Sequence, residues 1–511
     1  MIPERLNLAR HCVGRAALAT PGKTALIVVS DAASPELAER WTYRDLDRAV
    51  RSVAAGLLAE GLVAGDRVML RLPNTSDYAL LFLGAISAGL VPVPISSQLT
   101  ETEAAFLLED SGASAIVQTG SPHLPPPSGC MTLDDKAIAR LKAAAPQPDH
   151  SDTLAETPAY MIYTSGTTTR PKGVMHAHRT ALGRMPMHRD WQGLTAEDVM
   201  LHAGAFNWSY TLGVGLIDPW SCGATAVLYN GPKDIDAWPR LIEAVGATLF
   251  AAVPSLFRQM LKYCDFDNGR LATLRHGLAA GEALSPSLLE NWRAATGKEL
   301  YEAFGMSECS TFISNRAGMP IRPGSPGKPQ RGRRVSILPL SGEGEEVPPG
   351  EVGLLAIHRE EPGLMLGYWR RPDEERRVFH GDWFAGGDLA AFDEDGYVWY
   401  HGRADDTMNA GGFRVSPLEV EEALAACPGI AEIAVAERRV REDVSIVVAY
   451  VVRQDGVQID AKDIAAVAEQ RLASYKRPKQ VFFVPSLPRS ANGKLLRRDL
   501  ALLEVEPAPR A

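Results

Sequence analysis

Apolar residues take up helical spacing early in the chain. Leu46, Val50, Val53, Leu57 and Leu58 recur at three- and four-residue intervals within "TYRDLDRAVRSVAAGLLAEGL", and Thr42, with Asp45 three positions on, supplies the polar start of a helix. "DRVMLRL" (66–72) then has the length of a short strand. "YALLFLGAISAGLVPVPI" (78–95) is greasy enough to resemble a membrane segment, but Pro92, Pro94 and the internal glycines predict a buried helix followed by a strand. The same alternation returns in "ATAVLY" (224–229), "AWPRLIEAVGA" (237–247) and "TLFAAVP" (248–254), which predicts α/β layering through most of the first 400 residues.

The pattern changes after residue 320, where turn-rich stretches such as "SGEGEEVPPGEVG" separate short strand-like runs and predict a β-rich lobe. Beyond about residue 405, "PLEVEEALAA" reads as a helix, "IAEIAVAERRV" and "VSIVVAYVV" as strands, and "AKDIAAVAEQRLASY" as a second helix. The expected fold class is therefore α/β: a large N-terminal domain (1–404) of layered α/β subdomains plus a β-rich lobe, then a small α+β C-terminal domain (405–511).

A chain of 511 residues is too long for one compact core, and 46% hydrophobic with 23% charged residues is ordinary for a folded protein. Acidic residues outnumber basic ones, 62 to 53, for a formal charge of -9. That disfavours a nucleic-acid partner, which needs a basic surface, but leaves small anions open, since one pocket can be positive on a negative protein. Cys12, Cys130, Cys222, Cys264, Cys309 and Cys427 show no ligand-like or disulfide-framework spacing. With no apolar secretory stretch in "MIPERLNLARHCVG" and no expected membrane span, the expected location is cytoplasmic.

One stretch stands apart. "YTSGTTTRPKG" (163–173) strings hydroxyls, glycines and a lysine together with almost nothing apolar. Hydroxyls and backbone N–H groups can donate to an anion and glycine lets the backbone approach it. The order is wrong for a P-loop, because Lys172 precedes Gly173. Composition alone leaves a polar loop and a phosphate cradle equally open.

Three further stretches follow it in order: "YEAFGMSECS" (301–310), "WFAGGDLAAFDEDGYVWYHGRADDTMNAGGFRVSPLEVE" (383–421) and "PRSANGKLLRRDL" (488–500). Together the four resemble the motifs of the AMP-forming acyl- and aryl-CoA ligases, the superfamily that includes luciferases and peptide-synthetase adenylation domains, and the benzoate-type ligases in particular. The resemblance spans essentially the whole chain. It implies a mobile C-terminal domain and a two-step reaction with ATP, Mg²⁺ and coenzyme A: a carboxylate attacks the α-phosphate, pyrophosphate leaves, and the thiol of CoA then displaces AMP.

The resemblance also implies roles. Thr164, Ser165, Gly166, Thr167, Thr168 and Lys172 would hold the β- and γ-phosphates, with Thr169 standing where a glycine is usual. Phe304, in the place of a tyrosine, would stack on adenine beside Gly281, Glu282 and Ala283. Ser307 and Glu308 match a Thr-Glu pair, with Glu308 the Mg²⁺ ligand. Asp388 and Arg403 would grip the ribose, with Gly387 in place of a threonine. Lys494 matches the adenylation lysine, Asp405 the hinge and Gly412 the glycine beside the pantetheine tunnel. Tyr475, Arg477 and Lys479 would meet the CoA nucleotide, a solvated charge run being the rival reading. Asn207, Ala280, Gly305 and Ser310 would line an acid site for an aromatic, alicyclic or short-to-medium aliphatic acid. Pro488 with Gly493-Lys494 fits PxxxxGK, a pattern resembling acetylation sites, so a lysine acetyltransferase acting on Lys494 is an expected partner. Loading of a separate carrier protein and a non-catalytic nucleotide sensor stay as alternatives. Oligomeric state is unassigned.

Overall fold

The computed structural model describes residues 2–120, 123–164, 171–232, 234–266, 269–406, 408–410, 413–441, 444–474, 476–489, 495–500 and 502–503. They form two compact units, one of residues 1–334 and 358–382, the other of 335–357 and 383–511.

The larger unit is built on a mixed sheet in the order Lys328–Pro329, Ser310–Ser314, Glu299–Met306, His276–Ala280, Leu249–Ala252, Val199–His202, Thr225–Tyr229, Thr24–Val29, Glu39–Thr42. The strands from Glu299–Met306 through Thr24–Val29 run parallel, and antiparallel strands close both edges. Both faces are covered, so neighbouring residues on one strand enter different cores. Leu201, Phe250, Ala252 and Ala279 pack on one face. Met200, Ala251, Leu278 and Ala280 pack on the other. A second, parallel sheet runs Val91–Pro94, Arg67–Arg71, Ala115–Gln118, Met131–Leu133.

The periodic segment forms the helix Tyr43–Ala59, whose cap Thr42 accepts the Asp45 N–H at 3.2 Å. Leu46, Val50, Val53 and Leu57 are fully buried, and Leu58 is half-buried at the edge of the same core. The apolar run at 78–95 is the buried helix Ser76–Ser87 and the strand Val91–Pro94. No helix among the described residues is long and apolar enough to cross a membrane.

In the smaller unit, Gly353–His358 pairs antiparallel with Val335–Leu338 and Asp388–Phe392, which pairs in turn with Val398–Arg403. A second sheet joins Ile430–Arg441, Val444–Arg453 and Gln480–Phe483. Val447, Ala449 and Val451 face the helices Pro417–Ala425 and Ala461–Arg471 through a core with Val420, Leu424 and Ile464. Val448 and Tyr450 face a second core with Phe482 and Leu500.

Gly84 marks a close helix–helix approach. A Cβ there would lie 2.8 Å from the Val53 Cβ and nearer still to its Cγ1. Gly84→Val should therefore overpack the contact and cost about 1–3 kcal/mol, read as a lower midpoint of urea unfolding; an unchanged midpoint would show that the two helices part freely.

Candidate functional site

Ligands of parallel sheets bind beyond the carboxyl ends of the strands. In the larger unit the chain leaves those ends at His202, Ala252, Ala280 and Met306. Asn207, Gly281, Glu282, Ala283, Ser307 and Glu308 belong to the loops that follow, while Ala280, Phe304, Gly305 and Ser310 lie in the strands themselves.

Gly281 comes directly after its strand at φ +93°, a left-handed backbone that favours glycine. A Cβ would also meet the Trp208 ring at 2.7 Å, so glycine lets the indole lie against the main chain. Glu282 and Ala283 follow. Leu284 donates its N–H at 3.0 Å to Oε1 of buried Glu302, whose pKa burial raises to about 7 despite that bond. Phe304 is half-buried and meets Phe312 edge to face, with centroids 5.7 Å apart. Gly305 is forced by contact, since a Cβ would fall 2.5 Å from the Thr311 Cα.

Glu308 has a partner the sequence did not announce. The Tyr368 hydroxyl donates to Glu308 Oε1 at 2.7 Å, and Lys172 Nζ lies 5.0 Å from the centre of the same ring while pairing with Glu374. The ring thus joins the predicted metal ligand to the last residue of the predicted phosphate loop. Among the described residues no cluster of three or more His, Cys, Asp or Glu could hold a metal alone. A single carboxylate suits Mg²⁺ that completes its shell with phosphate oxygens and water, so the donor set fits that ion.

Ser307 Oγ lies 3.2 Å from Ser209 Oγ, and its carbonyl accepts from His176 Nε2 at 2.9 Å. Burial lowers the His176 pKa to about 3, so the ring is neutral, and it stacks on Tyr160 at 4.7 Å. Ser310 stands at φ +64°, unusual for a side chain with a Cβ, and its Oγ accepts from Arg184 Nη1. Arg184 belongs to a buried ionic cluster: its Nε and Nη2 fork onto Asp218 at 2.5 and 2.8 Å, and His188 Nε2 and Gln192 Nε2 reach the same carboxylate at 2.9 and 2.7 Å. Ala280 is buried on the sheet face that Tyr210 and Val214 cover, and Asn207 is half-buried in the loop after His202.

In the smaller unit Asp388 accepts from the Tyr400 hydroxyl at 3.0 Å on Oδ1 and from Arg403 Nη1 at 3.1 Å on Oδ2. Gly387 has φ +89°, with Arg403 Nη2 3.3 Å from the place of a Cβ. The departure from threonine is thus matched by a backbone that suits glycine. Asp405 is exposed, 4.0 Å from Arg403. Arg477 donates to the carbonyls of Leu472 and Glu469, and Lys479 to that of Ser474, so these cations serve the end of the helix Ala461–Arg471 and the turn after it. Arg497 forks onto buried Glu421, with Nη2 2.6 Å from Oε2. Ser165, Gly166, Thr167, Thr168, Thr169, Gly412, Tyr475 and Lys494 lie outside the described residues. Thr164 is half-buried at the end of the strand Pro158–Thr164.

Residues 13–369 match the AMP-binding enzyme family and residues 419–494 match the AMP-binding enzyme C-terminal domain. The chain belongs to the AMP-binding enzyme family. It is 33% identical over 517 residues to the benzoate–CoA ligase of Thauera aromatica, across 97% of this chain and 96% of that one. ATP-bound MatB from Rhodopseudomonas palustris superposes with a TM-score of 0.87 at 27% identity, over 97% of each chain. A benzoate CoA ligase from Burkholderia xenovorans LB400 does so with 0.85 at 29% identity, over 97% of this chain and 99% of that one. The fold and the reaction class expected from the motifs, ATP-dependent ligation of a carboxylate to CoA, come with membership of this family.

Sequence reasoning missed Tyr368, Tyr400, Trp208 and the Arg184–Asp218–His188 cluster. The aromatics lie in "NWSY", "GYW" and "VWYHGR", of which only the last falls in a stretch the motifs had singled out. A hydrogen bond across 60 residues, like that of Tyr368 to Glu308, has no local signature.

The cluster has a titration of its own. Burial alone would favour neutral His188, but the Asp218 charge outweighs it and raises the imidazole to about 9. A raised pKa stabilises fully below the unfolded value of 6.5 and loses that contribution as pH climbs through about 9. Unfolding midpoints should fall across that window, and His188→Gln should flatten the fall; the same slope in the variant would assign it to another group.

Proposed function

We propose that this chain activates a compact carboxylic acid, aromatic or alicyclic in the first instance, as its adenylate and passes the acyl group to CoA. The reaction class is that of the family, with ATP, Mg²⁺ and CoA as co-reactants. The observation that carries the acid class is the lining around Ala280. One small side chain shares its sheet face with Tyr210, and the Trp208 indole lies against Gly281. Aromatic walls with a small floor suit a flat or short acyl group. The similarity to a benzoate–CoA ligase points the same way.

The residue roles follow the family's motifs. Glu308 holds the Mg²⁺, which neutralises phosphate charge when bound, and Tyr368 fixes the direction of its carboxylate. Ser307 and Lys172 bind phosphate oxygens. Asp388 and Arg403 take the ribose hydroxyls, with Tyr400 fixing the carboxylate. Lys494 stabilises the negative charge that gathers between carboxylate and α-phosphate. Asp405 begins a mobile domain running to 511, which withdraws Lys494 before the thiol arrives past Gly412. A cytoplasmic location and acetylation of Lys494 complete the reading.

A screen of carboxylic acids for CoA- and ATP-dependent AMP release tests it, with detection of the CoA thioester separating this reading from carrier loading. Lys494→Ala should slow acid-dependent pyrophosphate exchange roughly 10²–10³-fold or more while sparing thioester formation from supplied acyl-adenylate. Equal loss of both halves would contradict the assigned role.

A further inference from the structure

Among the buried polar atoms without a hydrogen-bond partner are Nδ1 and Nε2 of His202 and Oγ1 of Thr211, on the site's side of the sheet. His202 is 3% exposed and Thr211 fully buried. Leaving such groups unpaired forfeits their full desolvation cost, and native structures hold few without a reason.

Their position suggests the reason. His202 ends its strand and stands level with Ala251, which stands level with Leu278, two residues short of Ala280. Side chains alternate along a strand, so His202 shares the face of Met200, Ala251 and Ala280. Thr211 is on the segment Ser209–Leu212 that covers this face, and the neighbouring Tyr210 ring meets the His202 ring edge to face at 4.5 Å. A Cβ on Gly204 would lie 3.3 Å from His202 Nδ1 and closer still to Thr211 Oγ1, so both groups converge beside that glycine. Gly215 keeps the far side small, with His202 and Phe206 at 3.1 and 3.3 Å from the place of its Cβ. The surroundings are aromatic and small apart from these two polar groups.

We propose that His202 and Thr211 form the polar end of the acid pocket and select carboxylic acids bearing an uncharged hydrogen-bonding substituent, a hydroxyl or amino group, away from the reacting carboxyl. This rests on the acid-ligase reading above. The nearby Asp218 charge is outweighed by burial, which lowers the His202 pKa to about 3, so the ring offers one N–H donor and one lone pair. Thr211 offers a hydroxyl that donates and accepts. Such a set satisfies a hydroxyl or amino group completely, whereas a second carboxylate would enter as an uncompensated buried charge.

The experiment measures kcat/KM for acid-dependent pyrophosphate exchange on matched acids: benzoate against its hydroxy and amino derivatives, and cyclohexanecarboxylate against its hydroxy derivatives. The wild-type enzyme should prefer at least one substituted acid over its parent by about tenfold or more, since a site built to bond a substrate group discriminates against the analogue that lacks it. Thr211→Val and His202→Leu should bring that ratio close to one, and Thr211→Ser, which keeps the hydroxyl, should restore most of it. The ratio within each variant cancels partial loss of folded enzyme. A wild-type preference for the unsubstituted parent in every pair, as expected if the two groups merely share a buried water, overturns the proposal. So does a dicarboxylate that outperforms the neutral derivatives, or a ratio the variants leave unchanged. These outcomes leave the ligase reading standing. Only the absence of exchange with every acid would sink both.

Discussion

The larger unit is organised around one buried carboxylate. Asp218 is fully buried and accepts from Arg184 twice, from His188 and from Gln192, tying residues 184–192 to the segment that covers the sheet near Ala280. Arg184 then uses its third nitrogen to reach Ser310, two residues past Glu308. Replacing such a cluster with apolar groups of the same shape can be neutral or stabilising, but removing one partner strands a buried charge at a cost of about 3–5 kcal/mol. What the cluster contributes is direction. Ser310 is held at a positive φ and the chain reverses sharply after Glu308, so the antiparallel strand Ser310–Ser314 can return beside Glu299–Met306.

The layering was legible in the sequence because period and burial are local properties. The face of Leu46, Val50, Val53 and Leu57 is the buried face of its helix, and the Pro92–Pro94 strand lies where the prolines put it. The motifs were legible for a related reason. Glu308, Asp388 and Lys172 sit in short runs whose order along the chain carries information even when no pair of them is adjacent in sequence.

What escaped sequence reading are the partners that orient those residues. Tyr368 reaches Glu308 across 60 positions, Arg184 reaches Asp218 across 34, and Trp208 lies against the main chain of Gly281. None leaves a periodic trace, because each depends on where two strands or loops emerge from the sheet. Gly387 illustrates the opposite case. In the sequence it was an unexplained departure, and its backbone at φ +89° is one that glycine suits.

Charge and neutrality divide the buried histidines of the larger unit. At neutral pH the ionic cluster carries Arg184 and protonated His188 against one carboxylate, leaving an excess of positive charge that also meets Ser310 and Cys222. His176 and His202 titrate the other way, each driven neutral by burial to about 3. Imidazoles on the same unit thus have opposite states for one physical reason: His188 touches a carboxylate, while His176 meets a carbonyl and His202 meets no charged partner directly. Under the proposed acid-site reading, the positive charge beside Ser310 favours an anionic carboxyl group and the neutral His202–Thr211 lining disfavours a second one. On that reading, a site with one charged end and one neutral end would orient an asymmetric acid before any chemistry begins, and orientation of that kind turns a bimolecular encounter into an effectively intramolecular step.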